Sequence, residues 1–132
     1  MTRHTASYVE QPGTVDVPGR LRGTWRNQLG SELILEPDPE GRLCGRYRSG
    51  TGEVAGTSYP ITGSYDPEPA GPAVVLGFVV DWTAVHSVTA WSGQFQPADD
   101  SISATWIMTT EADRDEAWSS TRIGQDRFRR SA

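Results

Sequence analysis

Apolar and polar residues alternate along most of this chain, the pattern of extended segments whose successive side chains point to opposite faces. Trp25, Asn27 and Leu29 share one face of a first strand. Leu33 and Leu35 share one face of a second, with Glu32 and Glu36 opposite. In a third, Leu43, Gly45, Tyr47 and Ser49 lie on one face, and Arg42, Cys44, Arg46 and Arg48 on the other. Residues 59–65 read as a fourth strand, where Pro60 predicts an irregular start or a bulge. In residues 73–82, Val74, Leu76, Phe78, Val80 and Trp82 share a face, yet Val75, Gly77 and Val79 make the other face apolar too. Residues 87–95 form a sixth strand (Ser87, Thr89, Trp91, Gly93 and Phe95 on one face) and residues 102–108 a seventh (Ile102, Ala104, Trp106 and Met108). Residues 121–129 form an eighth, with Arg122, Gly124, Asp126 and Phe128 together. Pro/Gly clusters at 37–41 and 66–72 are turns, residues 50–58 a flexible loop, and residues 111–118 allow a single helical turn.

Eight short strands joined by short turns predict an all-β fold, an eight-stranded antiparallel up-and-down β-barrel. Closure removes the sheet edges, and a barrel of this strand number has room inside for one small ligand. The alternative is a sandwich with a solid core. Against it stand Asn27, Ser31, Tyr47, Thr89 and Asp126, all on inward faces, whose joint burial without partners is unfavourable. Aromatic walls with a few placed hydrogen-bonding groups describe a small-molecule pocket. The outward Val75, Val79, Ile107 and Ile123 predict an exterior covered by another subunit.

The 132 residues amount to one domain, divided here into a flexible extension at 1–22 and a barrel domain at 23–130. Pro12, Gly13, Pro18 and Gly19 punctuate the extension, which either is disordered or lies over a pocket mouth or sheet edge. Residues 1–20 hold no apolar segment of the kind a signal peptide needs. A net charge of −5 argues against nucleic acid and anionic membranes as partners. Cys44 is the sole cysteine, so no intrachain disulfide forms; its parity points it outward, as a surface residue or a cross-linking site between chains. Catalysis is poorly supplied. His4 and His86 are the only histidines, one in the extension and one on an outer face, so neither serves Ser31, Ser49 or Cys44 as a base. Two histidines and one cysteine do not make a metal site either. The Gly-rich run 50–56 lacks the Lys and Ser/Thr of a phosphate loop.

Four segments, in this order and on this shared inward face, resemble the avidin/streptavidin family of biotin-binding proteins, and the chain looks like a bacterial, streptavidin-like member. They are Gly23-Thr24-Trp25-Arg26-Asn27-Gln28-Leu29-Gly30-Ser31, Leu43-Cys44-Gly45-Arg46-Tyr47-Arg48-Ser49, Trp91-Ser92-Gly93-Gln94, and the run from Ala117 to Phe128. The resemblance implies non-catalytic, high-affinity binding of biotin as a ligand, with no cofactor. By it, Asn27, Ser31 and Tyr47 match the donors to the ureido oxygen, and Ser49 and Asp126 the acceptors for the two ureido N–H groups. Thr89 matches the donor to the ring sulfur. Trp82, Trp91 and Trp106 match the aromatic box, and Met108 an apolar wall. Ser87 and, one loop position uncertain in alignment, Thr51 fall on the side of the valerate tail. Trp118 matches the residue that tetrameric members extend into a neighbour's pocket; its alternative is packing at its own barrel mouth. A homotetramer, secretion and sequestration of the vitamin are further implications of the resemblance.

The departures gather at the tail end. Ala84 and Val85, in a short connection, supply neither the aromatic lid nor the serine that some members place there. Glu53 brings a negative charge toward the ligand's carboxylate, and Arg122 offsets it. Ser119 stands where a Lys is usual, and Gln125 where some members carry an interface His. These changes predict intact head-group recognition with a faster off-rate than the tightest members. Two other readings stand beside biotin: a barrel for a different hydrophobic or ureido-bearing ligand, and an assembly protein that keeps only the fold.

Overall fold

The structure is a computed structural model, and it describes residues 16–52 and 54–131. His4, most of the predicted extension and Glu53 lie outside the described residues.

Eight strands follow in order: β1 (Gly23–Arg26), β2 (Glu32–Pro37), β3 (Arg42–Arg48), β4 (Ser58–Tyr65), β5 (Val74–Trp82), β6 (Ser87–Gln96), β7 (Ser101–Thr110) and β8 (Thr121–Arg130). Each pairs antiparallel with its chain neighbour, and β1 pairs with β8 to close the barrel. The inward set of the alternation forms the core: Trp25, Leu33, Leu35, Val74, Val80, Ile102 and Phe128 are fully buried. Gly45 has a physical reason to be glycine. Its φ is +144°, and a Cβ there would sit 1.8 Å from the Ile34 carbonyl oxygen.

The strongly paired part of the barrel runs from β5 to β8. Nine residue pairs join β5 to β6 and ten join β6 to β7, whereas β1 meets β8 through two, Trp25↔Arg130 and Arg26↔Arg129. β1 is short because the chain turns away after Arg26. Asn27 N–H donates to the Ser31 carbonyl (3.0 Å), Gly30 N–H to the Asn27 carbonyl (3.1 Å), and Gly30 takes φ +81°.

Three expectations change. The extension does not run flexibly to residue 22: Val17–Leu21 is a short helix, α1, with Val17 and Leu21 buried. Asp16 caps it by accepting from Gly19 N–H (3.0 Å), and Val17 and Leu21, four apart, face the barrel together. α1 closes one end. Trp25 Nε1 donates to the Leu21 carbonyl (2.9 Å), and Arg130 donates to the carbonyls of Arg22 (2.7 Å) and Arg20 (2.6 Å). Arg130 also lies 4.2 Å from the Trp25 ring centroid and pairs with Asp100 (2.9 Å). Next, Leu29 does not share the inner face of β1; beyond the strand's end it stands at the rim, 56% exposed. Finally, β4 has no bulge at Pro60. Its register with β3 is continuous (Arg46↔Pro60), while pairing to β5 begins only at Thr62, so the missing N–H falls where no ladder needs it. The loop after β3 is tied by Gly56 N–H to the Ser49 carbonyl (3.0 Å), and the helical turn before β8 is a 3-10 helix at Arg114–Ser119.

Candidate functional site

The end opposite α1 opens into a cavity of about 470 Å³. Asn27, Ser31, Tyr47, Ser49, Thr51, Trp82, Ser87, Trp91, Trp106, Met108 and Asp126 line it, so eleven of the thirteen residues singled out from the sequence meet in one place. Thr89 lies buried against this wall through Trp82 Nε1, which donates to its hydroxyl (2.9 Å). Trp118 does not join the cavity. It sits in the 3-10 helix, 84% exposed.

The turn after β1 sets the polarity of Asn27. Its Oδ1 accepts from Leu29 N–H (3.0 Å) and Ser31 N–H (2.9 Å), so its amide NH₂ faces Tyr47 Oη at 3.4 Å. Ser31 Oγ accepts from Gly50 N–H (2.9 Å), so its own hydroxyl proton is turned away from the loop and toward the Tyr47 phenol at the cavity floor. The phenol of Tyr47 accepts from Asn27, which leaves its own proton free. Three donors therefore converge at the cavity floor, contributed by the first turn and by β3.

Burial pushes the Tyr47 phenol up to about 12, and the Asp126 charge adds to this, while hydrogen bonds to Ser31 and Asn27 pull the other way. The phenol is thus a neutral donor throughout the physiological range.

Acceptors face these donors. Ser49 donates its hydroxyl proton to the Thr51 carbonyl (2.7 Å), so its oxygen is turned toward accepting. Asp126, buried on β8, accepts from Trp91 Nε1 at one oxygen (2.8 Å) and from Gln28 Nε2 at the other (2.9 Å). Each carboxylate oxygen keeps a lone pair for a further donor. Both oxygens are already engaged, so the Asp126 carboxylate is held in place as an acceptor.

The walls are aromatic. Trp91 stacks on Phe78 (4.8 Å, 18°) and packs on Tyr47 (4.8 Å), and Trp82 meets Tyr47 and Tyr59 edge-on (5.6 and 5.0 Å). Trp106 lies across Gly124 of β8, its partner in register; a Cβ on Gly124 would come within 2.2 Å of the indole. Toward the mouth, Ser87 and Thr110 share a hydrogen bond (2.6 Å), and Leu29, Val54, Val85 and Arg122 form the rim. The site residues singled out from the sequence do not include Leu29, Gly52, Val54, Val85, Thr110 and Arg122. Thr110 was legible only through a register that pairs it with Ser87, and Val85 through a turn that folds it back against the core. Among the described residues no cluster of His, Cys, Asp or Glu is arranged to hold a metal ion, and His86 is exposed in the Thr83–Val85 turn's left-handed cap.

A closed barrel with one stoppered end, and at the other a pocket walled by indoles and floored by opposed donors and acceptors, defines a small-ligand binder. A family model described as the Avidin family matches residues 16–131, and the chain belongs to that family. Its members are non-catalytic binders that take biotin as a ligand and not as the cofactor of a reaction.

Proposed function

We propose that the cavity takes the bicyclic head of biotin tightly, ureido group down, with the valerate tail at the mouth. The observation that carries this is the polarity of the floor. Asn27, Ser31 and Tyr47 turn protons toward it, whereas Ser49 and Asp126 have spare lone pairs. A urea presents the complement: one oxygen and two N–H groups. Donors pulling on the oxygen while Asp126 pulls on an N–H polarise the urea, and such bonds strengthen one another where water is excluded. Thr89 is held to donate toward the ring sulfur, since Trp82 occupies its acceptor side. Trp82, Trp91, Trp106 and Met108 enclose the rings. Thr51, Ser87, Thr110 and Arg122 meet the tail, with Val85 closing the rim by apolar contact alone.

The working form is a homotetramer in which Trp118 enters a neighbour's mouth. A bare indole at 84% exposure, with Val75, Val79, Ile107 and Ile123 also exposed, supports an apolar surface that a second copy covers. The protein is read as secreted, as is typical of the family, and as acting by withholding the vitamin from other cells.

Calorimetric titration of biotin, with the subunit count from light scattering, tests this. One site per subunit with a large favourable enthalpy is expected, and Trp118→Lys should speed biotin release and weaken assembly together. A folded barrel that gives no heat with biotin overturns the ligand assignment. An intact tetramer with an unchanged off-rate in Trp118→Lys removes the shared wall.

A further inference from the structure

Gln28 is exposed and lies outside the cavity lining, yet its side chain makes three contacts across 97 to 99 residues of sequence. Its Oε1 accepts from Arg127 N–H (3.0 Å), and its Nε2 donates to the Gln125 carbonyl (3.2 Å) and to Asp126 Oδ1 (2.9 Å). The location explains the pattern. β1 leaves β8 after the Arg26↔Arg129 pair, so the backbone of β8 around Asp126 has no strand beside it on that side. A carboxamide carries an acceptor oxygen and a two-proton donor nitrogen in one plane, so it offers the complement of a peptide group and one further N–H for Asp126. Gln28 thus supplies from a side chain the pairing that a longer β1 would supply from its backbone.

Resting on the biotin reading above, we infer that Gln28 is a positioning residue: it latches the open seam and, through the same amide, holds the Asp126 carboxylate at the angle the ligand needs. Asp126 Oδ2 is tethered by Trp91 from inside the barrel, and Oδ1 by Gln28 from outside. With both tethers the carboxylate plane is set before the ligand arrives. Without Gln28 the plane turns about the Trp91 bond, and the β8 backbone on which Asp126 rides is freed at the same point. The residue therefore governs ligand residence time without touching the ligand.

The test is a double-mutant cycle on biotin off-rates with Gln28→Leu and Asp126→Ala. Loss of a hydrogen bond to a charged group predicts about tenfold faster release in Gln28→Leu, and almost no further change when the same substitution is made in Asp126→Ala. Gln28→Glu keeps an acceptor for Arg127 N–H but faces Asp126 with a second carboxylate, so it should release biotin at least as fast as Gln28→Leu. Gln28→Asn, too short to span the seam, should not rescue. Equal effects of Gln28→Leu with and without Asp126 overturn the inference, as does Gln28→Glu that behaves like wild type. Absence of biotin binding by the wild-type protein sinks the ligand reading instead. In that case amide hydrogen exchange at Arg127 decides the latch: faster exchange in Gln28→Leu upholds it, and unchanged exchange overturns it.

Discussion

Replacing Tyr47 by Phe isolates one titration in a protein well suited to it. The phenol's pKa stands at about 12 in the folded barrel against 10.0 when unperturbed. Below pH 10 both folded and unfolded chains hold the proton, and Tyr47 makes its full contribution. As pH rises from 10 to about 12 the unfolded chain releases the proton first, so stability is lost across that window. At about 1.4 kcal/mol per pKa unit, the loss is on the order of 3 kcal/mol. All twelve Lys and Arg positions are arginine, so no lysine titrates in the same range. Tyr65, raised chiefly by its burial, contributes in the same direction, but it cancels when Tyr47→Phe is subtracted from wild type. The assay is urea unfolding followed by tryptophan fluorescence at fixed protein concentration, from about pH 9 to about pH 12. Near neutral pH the variant should differ from wild type by about 1 kcal/mol, because it forfeits a long hydrogen bond from Asn27. The difference between the two proteins should then shift by on the order of 3 kcal/mol in favour of the variant as the pH climbs. A difference that stays flat across the window would refute the claim that the phenol is held neutral by burial, and with it the picture of a buried donor at the floor.

Asp126→Ala should weaken biotin binding by about 3 kcal/mol, because it strands a ligand N–H in a buried site; calorimetry showing unchanged affinity would remove Asp126 from the binding floor. Gly124→Ala should drive Trp106 off its seat, since the added methyl would come within 2.2 Å of the ring; slower biotin entry or weaker binding with a shifted tryptophan emission is expected, and an unaltered spectrum and affinity would mean the indole has room to give. Arg130→Met should lower stability by about 2 kcal/mol and expose α1 to proteolysis, because the cation holds the Arg20 and Arg22 carbonyls and the Trp25 face; equal protease resistance would show that apolar burial of Val17 and Leu21 alone holds the plug.

Alternation carries the strand count and the inward faces, because a period of two admits only one partition of each strand once one face is buried; closure rests on the polar residues of that inward face, which disfavour a solid sandwich core. Hence the pattern alone puts Tyr47, Trp91 and Asp126, far apart in sequence, on a common side. α1 was hidden for the opposite reason. Five residues containing Pro and Gly have no helical propensity to read, and the helix exists because Val17 and Leu21 find the barrel's end. Leu29 obeyed the parity of β1 but not its length, since the Asn27 side chain ends the strand by capturing two backbone N–H groups. The direction in which each hydroxyl donates was equally invisible. It depends on loop backbone atoms, such as Gly50 N–H on Ser31 and the Thr51 carbonyl on Ser49, that no pattern of residue types reveals.

Among the described residues, the stopper formed by α1 makes the barrel a socket open at its other end. Anything covalently joined to the ligand's tail must emerge past Leu29, Val54, Val85 and Arg122, the same ring that admitted it. The chain itself enters the barrel through α1 and leaves it beside Arg130, where Ser131 N–H bonds the Thr24 carbonyl (2.8 Å). The tether and the described boundaries of the barrel, Asp16 and Ser131, therefore lie at opposite poles. A cargo hung on the ligand and a domain fused at either boundary of the barrel would be held a full barrel length apart, neither crowding the other.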